Sequence, residues 1–287
     1  MSVKAVVFFS GGLMSWAAAK RAVATYGAAN TTLLFTDTLI EDADLYRFLA
    51  EAAANVGAPL VKIADGRDPW QVFNDVKMIG NTRADPCSKI LKRIPGLAWL
   101  RANCDPANTV LIFGIHYEEV HRLEGTRWSK KEKRMVPAGV RPRYRDLGWP
   151  RVEGPMCDSP YLTPNDIRAW ARLEGLRIPR LYDLGFSHNN CGGFCVKAGE
   201  GHFAMLLAEL PLVYAHHEEQ EEAFNASRPG KRRQTVLAPE MPDPARPGKV
   251  KRVPMSLREF RLAMQTKSLT INLFNTGGCG CFLEDAV

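Results

Sequence analysis

The stretch VVFFSGGLMSWAAA, Val6 to Ala19, decides the fold. Four apolar residues lead into Ser-Gly-Gly, and a run of good helix formers follows Ser15, so the order is strand, glycine loop, helix N-terminus. Such a loop is a phosphate cradle. Glycines let the backbone come close to an anion, and the first N–H groups of the helix point at it. Ser10 and Ser15 add hydroxyl donors beside Gly11 and Gly12.

Outward from this loop, short apolar runs alternate with helical patterns. Ala5 to Phe9 precedes a helix from about Ser15, and Thr31 to Phe35 precedes one from about Ala43. Leu60 to Ile63 reads as a third strand, and Thr109 to Phe113 as a fourth after a helix near Ser88 to Ala102. A further helix starts at Thr163 with Pro164 in its first turn and breaks near Pro179. Strand-helix alternation of this kind predicts an α/β fold, a doubly wound and mainly parallel sheet. Ligands in such sheets bind beyond the carboxyl ends of the strands, where both the glycine loop and Thr36-Asp37-Thr38 fall.

With 287 residues, 46% of them hydrophobic, the chain can bury a full α/β core and an appended unit. The expected division is a nucleotide-binding domain over 1–185 and a helical, cysteine-containing extension over 186–287, with a basic, proline-rich linker near 227–255. No run approaches the roughly 18 apolar residues of a membrane helix, and no charged leader precedes the first strand, so a cytoplasmic protein away from membranes is expected. Seven cysteines are an odd number in a chain too long for a small disulfide scaffold, and four of them sit in glycine-rich close pairs. Reduced thiols that serve chemistry or a metal are the expectation.

The net charge of +7 is local. Between His121 and Arg151 ten Lys/Arg face only Glu124, Glu132 and Asp146, which accounts for the whole excess. Arg228 to Arg252 holds eight more Lys/Arg against Glu240 and Asp243 and reads as a long flexible connection. Each run is either a solvated loop or a groove for a polyanion. In the second case Trp128, Tyr144 and Trp149 would be available for stacking on bases.

The segments FFSGGLMSWAAA, LLFTDTLIEDADLYRFL, DPCSKILKRIPGLAWL, FGIHYEEVHR and SPYLTPNDIRAWARLEGLRIPRLYDLGFSHNNCGGFC occur in an order that resembles the PAPS reductase-like branch of the adenine nucleotide alpha hydrolases, the PP-loop ATP pyrophosphatases, over Val6 to Gly199. The resemblance implies a loop that holds the phosphates of ATP or a sulfonucleotide, and a reaction that adenylates a substrate with release of pyrophosphate. Ser10, Gly11, Gly12 and Ser15 match the loop, while Met14 stands where relatives usually carry aspartate. Asp37 and Thr38 match the strand end that faces the nucleotide; Asp37 would equally serve as a turn or capping residue. Lys89, Lys92 and Arg93, spaced three and four apart after Cys87, would project from one helix face, which either grips phosphate or is a plain exposed face. Cys87, Lys89 and Lys92 are accordingly the candidate catalytic residues, and Arg93 joins the nucleotide-binding set. His116 replaces the arginine of the relatives' GxRxxES, so only a weak transfer reaches His116, Glu119 and Arg122.

Cys191-Gly-Gly-Phe-Cys195 and Cys279-Gly-Cys281 are glycine-flanked pairs that can bring four sulfurs to one ion or cluster. Four thiolates suit zinc and an iron-sulfur cluster equally; the resemblance favours the cluster and makes Cys87 a rival ligand. Cys104 and Cys157 read as space-filling, and His188 and His202 as structural.

Three functions stay open. The first is an enzyme that uses ATP and Mg2+ to activate nucleic acid, tRNA or DNA, for sulfur transfer from a donor protein. The second is a reductase of PAPS or a related sulfonucleotide, although the GGCGCF tail offers no neighbouring cation to lower a thiol pKa. The third is a non-catalytic nucleotide-binding module, which Met14 would mark.

Overall fold

The computed structural model describes residues 3–277 except 82–83, 130 and 247. In chain order the first half comprises β1 (Lys4–Phe8), α1 (Leu13–Tyr26), β2 (Thr31–Asp37), α2 (Ala43–Val56), β3 (Leu60–Ala64), α3 (Pro69–Val76), α4 (Ile94–Asn103) and β4 (Thr109–Phe113). Then come α5 (Val120–Glu124), β5 (Thr126–Ser129), β6 (Arg134–Pro137), α6 (Val140–Asp146), β7 (Val152–Glu153), α7 (Pro164–Leu173) and α8 (Arg180–Asp183). The C-terminal part holds α9 (Glu200–Glu209), α10 (Pro211–Ala226), β8 (Glu240–Pro242), β9 (Val250–Arg252) and α11 (Leu257–Gln265).

Five strands form one parallel sheet in the order β3-β2-β1-β4-β7. All of β4 and all but the first residue of β1 are buried, which is why these strands read as unbroken apolar runs. One sheet face packs under α1, α2 and α7 through Trp16, Phe48 and Ile167. The Ala-rich middle of α1, Ala17 to Ala19, is wholly buried and lets that helix lie close to its neighbours. The other face is covered by Leu100 of α4, Tyr144 of α6 and Trp149. A third core joins Trp70 and Phe73 of α3 to Phe194, Phe203, Tyr214 and Phe260, so the C-terminal helices are anchored on the α/β half. Among the described residues, no helix is long and apolar enough to cross a membrane.

The chain runs outward from β1 through β2 to β3, then returns to place β4 on the other side of β1. Between β1 and β4 the winding reverses, and the crevice beyond their carboxyl ends is the expected ligand position. Gly114, directly after β4, is fitted to it: a Cβ there would lie 2.7 Å from the Ser15 Cα. Glycine thus lets the end of β4 press against the start of α1.

Three expectations are corrected. The helix predicted over Ser88 to Ala102 begins as a π-helical turn, Ser88–Arg93, before α4. Tyr144 and Trp149 are core residues, 3% and 1% exposed, and do not stack on a ligand. The basic, proline-rich run is no loose connection: Val236 and Leu237 are buried, Gln234 accepts from the Ile79 N–H, and β8 pairs with β9.

Candidate functional site

The loop after β1 opens on a cavity of about 430 Å3 at the switch point. Gly11 adopts φ +76°, and a Cβ there would sit 2.9 Å from Leu45, so the turn needs glycine. Gly12 caps α1 without a side-chain hydrogen bond, and no acidic residue occupies the helix's first turn. Its first N–H groups therefore lack intrahelical partners and favour an anion. One is taken within the protein, since Leu13 N–H donates to the Tyr182 hydroxyl at 3.3 Å. The Ser15 hydroxyl, buried, donates to the Gly12 carbonyl at 2.8 Å and accepts from Ser10 N–H and Ser10 Oγ. It braces the loop; Ser10 lies at the cavity wall.

Of the remaining expected residues, the structure brings some to the cavity and leaves others away. Lys92 lines it, buried, while Lys89 is solvent-exposed. In a π-helical turn the i,i+3 spacing no longer selects one face. Arg93 turns to Asp85, 3.8 Å from its carboxylate. Asp37 does not line the cavity: its carboxylate accepts from Leu39 N–H and the Tyr46 hydroxyl. Thr38 donates to Glu41 at 2.8 Å. Glu41, which sequence reasoning missed, is the buried acid at the wall; burial raises its carboxyl pKa, opposed by Lys92, Thr38 and the Cys191 N–H. His116 also lines the cavity and meets the Leu162 carbonyl through Nε2 at 3.0 Å. Glu119 and Arg122 face each other at 2.7 Å on the same wall.

Two more wall residues come from the far end of the sequence. Asn189, 1% exposed, donates its amide to the Gly11 carbonyl at 3.0 Å, which fixes the other end of the amide, Oδ1, as an acceptor. Asn189 Oδ1 and His188 Nδ1 are buried and have no hydrogen-bond partner among the described residues. A ligand with an N–H or O–H donor would satisfy the first. No local sequence signal marks Asn189; only the return of the chain across the sheet brings it to the loop.

A second, small cavity of about 20 Å3 is lined by Thr38, Cys87, Lys92, Cys191 and Cys195, among others. Cys191 adopts φ +56°, and at Gly192 a Cβ would strike the Ile40 carbonyl at 2.4 Å, so the loop is built tight against the α2 entry. His202 contacts the Gly193 carbonyl through Nε2 at 2.7 Å, and Phe194 stacks on His217 at 3.7 Å. Burial, aided by Asp85, pushes the Cys87 thiol up to about 12. Lys92 is shared by both cavities: its Nζ lies 3.9 Å from Glu41 Oε1 and 3.8 Å from Cys191 Sγ. Among the described residues, no group of three His, Cys, Asp or Glu is arranged to hold a metal ion. Cys279 and Cys281 lie outside the described residues. The last described residue, Gly277, pairs with Ala198, three positions after Cys195.

No protein-family model and no curated protein matches the chain. Among solved structures it is similar to a phosphoadenylyl-sulfate (PAPS) reductase from Candida auris, at 12% identity over 65% of this chain and 79% of that one, with a TM-score of 0.38. It is also similar to an NH3-dependent NAD synthetase from Campylobacter jejuni, at 16% identity over 79% of this chain and 84% of that one, with a TM-score of 0.40.

Proposed function

We propose that the chain is an enzyme that binds an adenine nucleotide at the Ser10–Ser15 loop and activates a nucleic-acid substrate for sulfur transfer. The observation that supports this most is the pairing of an uncapped helix N-terminus, open to a cavity at the switch point, with a thiol-lined cavity that shares Lys92 with it. Phosphates would rest on the Met14 and Ser15 N–H groups and Ser10 Oγ. Lys92 adds positive charge from below. Asn189 Oδ1 would accept from a ribose hydroxyl or the adenine amine. Tyr182 and Asn189 hold the loop in shape, so that little reorganisation is needed on binding.

A protein-held Mg2+ does not fit the loop. Mg2+ takes oxygen ligands, Met14 offers a thioether, and the Asp37 carboxylate is engaged by Tyr46 and Leu39. Among the described residues no three ligands are gathered for a metal; the cysteines that would hold an iron-sulfur cluster are Cys191 and Cys195, with Cys87 on the same cavity wall, together with Cys279 and Cys281, which follow Gly277 closely in sequence. When bound, such a cluster supplies sulfur or electron chemistry; zinc there would be structural. Lys92 holds a positive charge between that site and the nucleotide.

The test is ATP binding by calorimetry and ATP–pyrophosphate exchange. Gly12→Val drives a side chain toward the Tyr182 hydroxyl, 3.1 Å from a Cβ at this position, and should abolish binding while circular dichroism stays native. Unchanged affinity would remove the nucleotide reading. Met14 favours one rival, a module that binds nucleotide without cleaving it. Binding without exchange, in the presence of Mg2+ and nucleic acid, would select that rival.

A further inference from the structure

The antiparallel hairpin β5–β6 is an insertion between β4 and β7, and both of its feet stand in the wall of the large cavity. Arg122, just before it, and Val140, just after it, line that wall. The feet are pressed together. Ala138 N–H donates to the Gly125 carbonyl at 2.8 Å, and a Cβ on Gly139 would lie 2.8 Å from the Arg122 carbonyl. The hairpin is therefore a firmly rooted arm at the mouth of the site.

Its faces are used in reverse of the usual pattern. A surface hairpin turns apolar residues inward and polar ones to water. Here Ser129 and Val136 are buried on the inner face, while Trp128 and Met135, directly opposite each other, stand on the outer face at 59% and 52% exposure. At the turn beyond this apolar pair Lys131 and Lys133 are exposed, Arg127 and Arg134 stand exposed on the hairpin's other face, and the hairpin's one acid, Glu132, is paired with Arg134 at 2.5 Å. An exposed indole with cations at the adjoining turn matches a polyanion that also offers flat aromatic faces. Duplexes keep those faces stacked away, whereas single strands present them.

We infer that this hairpin grips single-stranded nucleic acid: one unpaired base stacks on Trp128, the neighbouring phosphates lie against Lys131 and Lys133 at the turn, and the strand is thereby led to the cavity. The inference rests on the nucleic-acid reading of the function and names the form of the substrate and the surface that holds it.

Fluorescence anisotropy with a labelled single-stranded 12-mer, and with the same strand in a duplex, tests it in the full chain. The wild type should bind the single strand more tightly. Trp128→Ala should lose about fivefold or more, the range seen for one stacked base, and Trp128→Phe should recover most of that loss. Lys131→Ala with Lys133→Ala should flatten the salt dependence, while ATP affinity stays unchanged in all variants. Single-strand binding that ignores Trp128, or equal binding of duplex, overturns the inference and leaves the nucleic-acid function standing. Binding of neither polymer overturns both. Self-association of the wild type that Trp128→Ala abolishes, without nucleic-acid binding, would assign the face to a second copy of the chain instead.

Discussion

Asn189 donates its amide to the carbonyl of Gly11 at 3.0 Å across 178 positions of sequence, and so ties the segment that leads into the Cys191 loop to the phosphate loop. Removing this tie should cost nucleotide affinity rather than the fold. For Asn189→Ala the loss of one buried hydrogen bond, worth about 1 kcal/mol, predicts a roughly fivefold weaker ATP affinity by calorimetry. Asn189→Asp should be worse, because a carboxylate oxygen would face the Gly11 carbonyl. Equal affinities in all three proteins would show that the tie does not shape the site.

Lys92 and Lys89 are three residues apart and should behave in opposite ways. Lys92 is buried between Glu41 and Cys191, whereas Lys89 is exposed. Lys92→Met should leave Glu41 with its Thr38 and Cys191 partners but no cation, lowering the Tm by several degrees and weakening ATP binding at least tenfold. Lys89→Met should do neither. Similar effects from both would restore the single phosphate-gripping face that α-helical spacing suggests.

The contrast between these lysines shows how much of the site was legible. Strands β1, β2 and β4, the glycine loop and the α2 start are local patterns, and the apolar runs and breakers predict them to within a few residues. Lys89, Lys92 and Arg93 defeat the same reasoning because a π-helical turn does not keep 3.6-residue geometry. Tyr182 and Asn189 reach the wall through tertiary return of the chain, which no window of sequence contains, whereas Glu41 lies in the β2–α2 loop itself, three residues after Thr38. Tyr144 and Trp149 sit in a basic run yet point into the core, Tyr144 from the buried side of a helix that also carries charged residues and Trp149 from the segment just after it. The cavity thus combines a loop visible in sequence with walls that are not.

Glu221 predicts a pH dependence of stability. Its buried carboxyl accepts from the Val236 and Leu257 N–H groups at 2.8 and 2.6 Å, and so holds α10, the segment before β8 and the start of α11 together. Burial outweighs those two bonds and pushes its pKa up to about 7. The folded state then keeps a proton that the unfolded chain, with a pKa of about 4.3, releases. This contribution is fully favourable below pH 4 and declines as pH rises to 7, by roughly 3 kcal/mol. Urea unfolding across this range should show a steeper decline in the wild type than in Glu221→Gln. Parallel curves would refute the assignment.

Cys87, Cys191 and Cys195 line one cavity, and the segment that ends at Gly277 is pinned beside them by the Ala198 bridge and by the Gly199 N–H to Thr276 and Gly201 N–H to Asn275 hydrogen bonds. Protein purified without oxygen should therefore carry iron and sulfide, with a broad visible absorption and a brown colour. Serine in place of Cys191 or Cys195 should remove most of the metal, and so should serine at Cys279 or Cys281 if the tail completes the site. Cys87→Ser separates the two ligand sets: metal retained leaves the four paired cysteines as ligands, and metal lost makes Cys87 one of them. Zinc in place of iron would make the site a structural clamp and move the sulfur chemistry elsewhere. Neither metal, in protein whose thiols titrate as reduced, would overturn a metal site altogether.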